Sequence, residues 1–494
     1  MNANESLSNK EYRFSKGQSY FIAKEFVKAF DVLEKLLPCL NISLPEEKIL
    51  AAKTLHWLGY SCNELALLTE AVNFCRTAAE TYDDKQKIAE AMSSTVFISN
   101  GFENFSAADF RKLYDEYKSF LTDIVPFPPK IYAHKKIRVG FMSGDFLNHT
   151  VMRWCANLIV GLNKNFFATY CYSNGKDSDK LTNLIRNTVD GWRDIYDLTD
   201  EAAAKIIRDD EIDILFDLSG HTAYNRLRVA AYCPASVQIS GVGYMNSTGL
   251  DCFDYFLSDK FCAGDDSYFV EKIIRLPHSH VCYIPPEAVK ILDAPCRRKN
   301  FVTFGCFNQF CKFSDSILSA WKKILDRVPQ SRLLLKNRVL STADGRKFVA
   351  ARLKNFDFDL SRVETQGYSK NFLEEYNEVD IALDTFPYVG GVTTCDSLWM
   401  GTPVISLYGD RHGTRFGLSI LKNVRLDELA VANFDDYVER AVALANDAEL
   451  ISVLKKTLRG MMKSSPLMDS NIYVRDVEKV FAEVLLDAQK KFHV

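Results

Sequence analysis

An alternation of short apolar strands and helices limits this chain to few architectures. It begins after Pro126-Phe127-Pro128-Pro129 and runs, twice over, almost to the C-terminus. Proline cannot continue a helix and biases the residue before it to extended backbone, so the cluster predicts a boundary. Beyond it, residues 137–142 and 212–218 read as strands, with helical stretches between them, 199–208 included. After residue 300 the pattern starts again: strands over 301–307, 332–336, 379–385 and 403–408, and a helix over 314–328 with Ser314 as its N-cap. Strand–helix alternation demands crossover connections, hence parallel sheets covered by helices. The sequence therefore predicts an α/β chain of two doubly wound, Rossmann-like lobes facing across a cleft. A last amphipathic helix is expected over 473–486.

The part before the prolines reads as all-helical. Ile22, Phe26, Phe30, Leu33 and Leu37 follow helical spacing until Pro38 stops the run, and helices are expected near 46–60, 63–82 and 107–122. No clean 34-residue repeat emerges, so a degenerate helical repeat, a packing cap and a docking surface for a protein acceptor all stay open. The division is then 1–130 helical, 131–295 first lobe, 296–465 second lobe and 466–494 C-terminal helix.

Charge and cysteine usage exclude several classes. A net charge of −3, from 61 basic and 64 acidic side chains, gives no overall attraction to nucleic acid or anionic membrane. The 13 cysteines are odd in number, lack any C-x-x-C pair and lie in apolar runs, which predicts free buried thiols. No apolar run approaches the roughly 18 residues of a membrane span, and residues 1–20 carry no signal-peptide core, so a cytoplasmic location is expected.

In doubly wound sheets ligands sit beyond the carboxyl ends of the strands, so chemistry is sought in the turns there. His149 follows the first strand and His221 follows residues 212–218, on one rim of one expected sheet. Each has the chemistry to take a proton from an acceptor hydroxyl, or simply to brace a loop. After 301–307 comes Asn308-Gln309-Phe310-Cys311-Lys312, which places an ammonium just before a helix start, where an anion is favoured. After 379–385 come Gly390, Gly391, Val392, Thr393 and Thr394, with a helix expected over 395–400. Glycines that admit close approach and hydroxyls at a helix start suit a diphosphate. Asp396, in the expected first turn, suits ribose hydroxyls or the helix dipole. Neither a P-loop nor a G-x-G-x-x-G turn occurs, which removes support for nucleotide hydrolysis and dinucleotide redox chemistry. His278-Ser279-His280 lacks nearby ligand spacing and reads as packing beside Pro277 rather than as a metal site.

The segments RVGFMSGDFLNHT (138–150), DLSGHT (217–222), FNQFCK (307–312), LDTFPYVGGVTTCDSLWMGTPV (383–404) and GDRHGTRFG (409–417) together resemble the O-GlcNAc transferase family. The likeness is to the catalytic region of bacterial-type, SPINDLY-like members, over residues 137 to 486, roughly 70% of the chain. It implies a GT-B fold and an inverting, metal-independent transfer of a sugar from a nucleotide-sugar donor to a protein acceptor. The commonest case in such enzymes is UDP-N-acetylglucosamine onto Ser or Thr. UDP-glucose onto Asn, GDP-fucose, or a fold retained without turnover are the alternatives. It further implies that Lys312 and Gln309 contact the diphosphate, that Gly391, Val392, Thr393 and Thr394 form the phosphate-binding helix start, and that Asp396 meets the ribose. By the same resemblance, Phe372 stacks on the base where a histidine is usual, Val392 replaces a usual threonine, and His149 and His221 are active-site histidines.

Overall fold

Two parallel sheets organise residues 6–287 and 289–492, the part of the chain that the computed structural model describes. The first comprises β1 (Ile137–Ser143), β2 (Phe167–Ser173), β3 (Gly191–Asp194), β4 (Ile214–Asp217), β5 (Val237–Gly241), β6 (Tyr255–Asp259) and β7 (Lys272–Leu276). Its order is β3-β2-β1-β4-β5-β6-β7, with every pairing parallel. The second comprises β8 (Thr303–Cys306), β9 (Arg332–Lys336), β10 (Val363–Gln366), β11 (Ile381–Leu383), β12 (Val404–Leu407) and β13 (Ala430–Val431). Its order is β10-β9-β8-β11-β12-β13, again parallel throughout.

The central strands β4, β5, β6, β8, β11 and β12 are buried at every position. Helices cover both faces, so these strands read as unbroken apolar runs. In each sheet the strand order reverses beside the first strand, between β1 and β4 and between β8 and β11. Those two reversals open the crevices in which doubly wound folds hold ligands.

The expected strands at 137–142 and 332–336 are present as β1 and β9, and the expected helix at 314–328 runs Asp315–Arg327. Its N-cap is Ser314, whose Oγ accepts from the Ile317 amide at 3.3 Å. The edge strands β3 and β10 escaped the sequence reading because they are short and only partly buried.

One helical expectation is corrected. The run from Ile22 to Leu37 is not one helix but the end of Leu7–Ile22 followed by Phe26–Leu36. Lys24, at φ 65°, breaks it, and Ile22 is 73% exposed. Ala66, at φ 59°, makes the same turn between Pro45–Glu64 and Leu68–Thr81. In both turns an amide five residues on closes the helix end: Glu25 N to Tyr20 O at 2.8 Å and Leu67 N to Cys62 O at 2.9 Å. Such six-to-one closures stop a helix by a left-handed residue. The first part of the chain is thus built of helix–turn–helix pairs, completed by Lys85–Ser99 and Ala107–Ser119.

The C-terminal helix, Ser470–Phe492, leaves the second sheet and packs on the first. Its Phe481 meets Phe167 and Phe216 edge-on, with ring centroids 6.3 and 6.1 Å apart. All 13 cysteines are free thiols, and none is exposed. Among the described residues, no helix is long and apolar enough to cross a membrane.

Candidate active site

The carboxyl ends of β8 and β11 build the more structured half of the site. Asp384, just past β11, is fully buried and gathers the turn around itself. Its Oδ1 accepts from the amides of Thr385 and Gly390, at 2.9 and 2.7 Å, and from Asn308 Nδ2 at 3.2 Å. Its Oδ2 accepts from Ser406 Oγ at 2.7 Å. Asn308 Oδ1 in turn accepts from Thr393 Oγ1 at 2.8 Å. This network holds the Gly390-Gly391 turn and the start of the following helix against β8. A Cβ on Gly390 would stand 2.6 Å from Thr393 Oγ1 and 2.9 Å from Asp384 Oδ1, so only glycine fits there.

The helix runs Val392–Trp399 with Gly391 as N-cap, three residues earlier than expected. Asp396 therefore lies in the second turn, not the first. The amides of Val392, Thr393 and Thr394 open the helix and have no acceptor within it. Lys312 closes the short turn Phe310–Lys312 after β8. Its Nζ donates to the carbonyl of Val389 at 3.0 Å and lies 3.8 Å from the centre of the Tyr388 ring. The ammonium is thereby fixed two residues ahead of the N-cap. Burial pulls its pKa below the ordinary lysine value, while nearby Asp384 favours the charged form. Gln309 begins the same turn, its carbonyl accepting from the Lys312 amide at 3.1 Å. Phe372 is half-buried, in the short helix Phe372–Glu375 that leads to Tyr376. Tyr376 Oη donates to the Thr393 carbonyl at 3.2 Å.

The first lobe faces this helix start with the helix Met152–Gly161 and the loop before it. A Cβ on Gly391 would stand 2.5 Å from Trp154 Cη2, so the lobes touch at the N-cap itself. Arg153 reaches across as well. It grips Asp396 with two guanidinium nitrogens, at 3.1 and 2.5 Å, and Tyr283 Oη donates to the same carboxylate at 2.6 Å. Asp396, expected to meet ribose, is here 2% exposed and committed to an interlobe clasp. Arg153, Trp154 and Tyr283 carried no motif and were not foreseen. Arg153→Ala would leave the Asp396 carboxylate buried without its counter-charge. The expected loss is about 3 kcal/mol of stability, at the low end for a broken buried pair because the arginine is partly exposed. Denaturant unfolding reads it.

The two histidines sit on one rim, as expected, but in opposite environments. His221 is buried. Its Nε2 lies 2.8 Å from the Thr248 carbonyl and so must carry the proton, leaving Nδ1 to accept from Ser93 Oγ at 2.9 Å. Tyr117 and Tyr244 flank the ring edge-on, at 4.9 and 5.5 Å. Both nitrogens are spent, Nδ1 on joining the helical region to the first lobe and Nε2 on a carbonyl within that lobe. Gly220 makes that turn possible at φ 50°, and Asp217 accepts its amide at 2.7 Å. His149, by contrast, keeps 45% of its side chain exposed, with Nδ1 3.5 Å from Asp145 Oδ2.

Burial holds His221 and His56 neutral, each pulled down to about 4. The unfolded chain takes up a proton at such sites below about pH 6.5. Their contribution to stability is therefore complete above that value and lost as pH falls toward 4. Asp217, pushed up to about 6 by burial, runs the other way and offsets part of the loss. A lower melting temperature at pH 5 than at pH 7 is expected, and less so in His221→Asn.

Two doubly wound lobes with facing strand ends and a C-terminal helix crossing back to the first lobe define the GT-B fold. The sequence pattern of Glycosyl transferase family 41 matches residues 121–284 and 297–477, and the chain belongs to that family. It is 35% identical over 382 residues to the probable UDP-N-acetylglucosamine–peptide N-acetylglucosaminyltransferase SPINDLY of Solanum lycopersicum, covering 75% of this chain and 40% of that one. With the Arabidopsis thaliana protein SEC it shares 29% over 368 residues, 70% of this chain and 37% of the other. The chain thus spans about two fifths of the length of these curated relatives. A mutant of the Thermobaculum terrenum O-GlcNAc transferase superposes with a TM-score of 0.84 at 25% identity, over 98% of both chains.

Proposed function

We propose that the chain is an inverting, metal-independent protein glycosyltransferase that moves N-acetylglucosamine from UDP-N-acetylglucosamine to Ser or Thr of a protein acceptor. The observation that carries this reading is the fixed Lys312 ammonium at the start of the helix Val392–Trp399, facing the first lobe. Departure of a nucleoside diphosphate builds negative charge on its β-phosphate. A preorganised ammonium and free helix amides meet that charge without added cations. The names of the relatives supply the sugar and the peptide acceptor.

His149 is the proton acceptor in this reading. It is exposed at the cleft rim, with Asp145 Oδ2 3.5 Å from Nδ1, and an imidazole there suits taking the proton of the attacking acceptor hydroxyl. His221 is a positioning residue that locks the helical region onto the catalytic lobe. Asp396 likewise acts through Arg153, holding the helix start in place. Gln309 and Phe372 line the approach of the diphosphate and the base, and the helical region offers a surface for the acceptor. A cytoplasmic location fits such substrates.

Incubation with tritiated UDP-N-acetylglucosamine and a Ser/Thr-rich peptide, without Mg2+ or Mn2+, is expected to release UDP and label the peptide with the β-anomer. Label that requires Mg2+ or Mn2+, or transfer from GDP-fucose alone, would overturn the respective part of the reading.

A further inference from the structure

A cluster outside the donor site has the chemistry of a metal centre. Cys262 follows β6, His280 follows β7, and His412 lies in the turn after β12, so two come from the first lobe and one from the second. All three are buried, and one ligand atom from each lies within 4.8 Å of the others. The ring hydrogen bonds fix which nitrogen is available. His280 Nδ1 is 2.5 Å from Asp259 Oδ2, a carboxylate that can only accept, so Nδ1 carries the proton and Nε2 the lone pair. His412 Nδ1 is 3.1 Å from the carbonyl of Met245, which imposes the same tautomer. Both Nε2 atoms are buried and have no hydrogen-bond partner. His280 and His412 are 1% and 0% exposed. An unsatisfied buried acceptor is destabilising, and here two are presented side by side next to a thiol.

We propose that Cys262, His280 and His412 bind one borderline-soft transition-metal ion, Zn2+ in the first instance, which staples the two lobes together. Zinc takes N and S ligands at about 2.0–2.3 Å, so the three atoms need draw together by only about 1 Å, within reach of side-chain rotation. Metal-bound histidines characteristically donate their other N–H to a carboxylate or a backbone carbonyl, and the two partners here are one of each. Asp259 is itself held by the amides of Phe261 and Cys262, at 2.9 and 2.8 Å, and by Ser419 Oγ of the second lobe at 2.8 Å. Binding releases the Cys262 proton to solvent. The thiolate and the Asp259 carboxylate then cancel the dication, so the buried group is neutral. A thiolate with two imidazoles selects Zn2+ or Cu+ over the oxygen-seeking Mg2+ and Ca2+. Phe256, Phe269 and Phe416 meet the histidine pair edge-on and shield it from bulk solvent, and one water takes the fourth position of a tetrahedral ion.

The test uses the full chain, purified without chelator for metal analysis, then stripped and titrated with Zn2+ and with Co2+. About one ion per chain is expected. The Co2+ form should show the visible bands of a tetrahedral site and a sulfur-to-cobalt charge-transfer band. Cys262→Ser should fold, lose that band, and lose the rise in melting temperature that Zn2+ gives the stripped wild type. Asp259→Asn should weaken Zn2+ binding about 10–100-fold. Copper in place of zinc would support the site, since the ligand set is shared. A folded chain with no bound metal and no Co2+ spectrum would overturn it, and so would equal binding by wild type and Cys262→Ser.

Discussion

Replacing Lys312 by Ala is expected to lower the transfer rate by about 10²–10³ while the melting temperature changes little. The side chain makes one hydrogen bond, to the Val389 carbonyl, and one ring contact, with Tyr388, so the fold does not depend on it. Its effect lies in position. In the proposed reading the ammonium, shielded from water, already stands where the diphosphate gains charge, so no reorganisation is needed as the sugar departs. Burial also lowers its pKa from the ordinary lysine value, so the active, protonated form is lost at a less alkaline pH than a free lysine would require. Steady-state rates with saturating donor measure the first effect, and the alkaline limb of the pH profile the second. An unchanged rate in a folded Lys312→Ala protein would remove Lys312 from the chemistry.

The second large effect separates the two histidines. His149→Ala is expected to reduce kcat by about 10²–10⁴, the usual contribution of a general base, with the donor KM little changed. His221→Asn is expected to keep kcat per folded molecule and to lower the melting temperature, because both ring nitrogens of His221 are hydrogen-bonded, one to Ser93 and one to the Thr248 carbonyl. If His221→Asn instead lost turnover at full stability, and His149→Ala kept it, the assignment would be reversed.

Much of this was legible in the sequence, for physical reasons. Strands buried on both faces write themselves as apolar runs, which is why β1, β4 and β9 stand out. Turns at strand ends carry glycines and polar side chains, which is why Lys312, Thr393 and His149 could be singled out. What sequence could not give was who meets whom. The equal standing of His149 and His221 dissolves only when Ser93, on a helix the sequence reading missed, is found against the His221 ring. Asp396 read as a ribose contact or a helix-dipole partner, and nothing in the sequence pointed to Arg153 and Tyr283 across the cleft. Cys262, His280 and His412 lie too far apart in the chain to form any spacing motif, and His278-Ser279-His280 alone spoke for packing.

In the proposed reading a nucleoside diphosphate binds between Lys312 and the start of the helix Val392–Trp399. Calorimetric titration with UDP and with GDP, without Mg2+ or Mn2+, on wild type and Lys312→Ala tests it most directly. UDP binding by the wild type is expected, with weaker GDP binding, and UDP affinity reduced by at least about tenfold in the variant, the loss of one charge-assisted contact. Equal UDP binding by both proteins, or no nucleotide binding by the wild type, would contradict it.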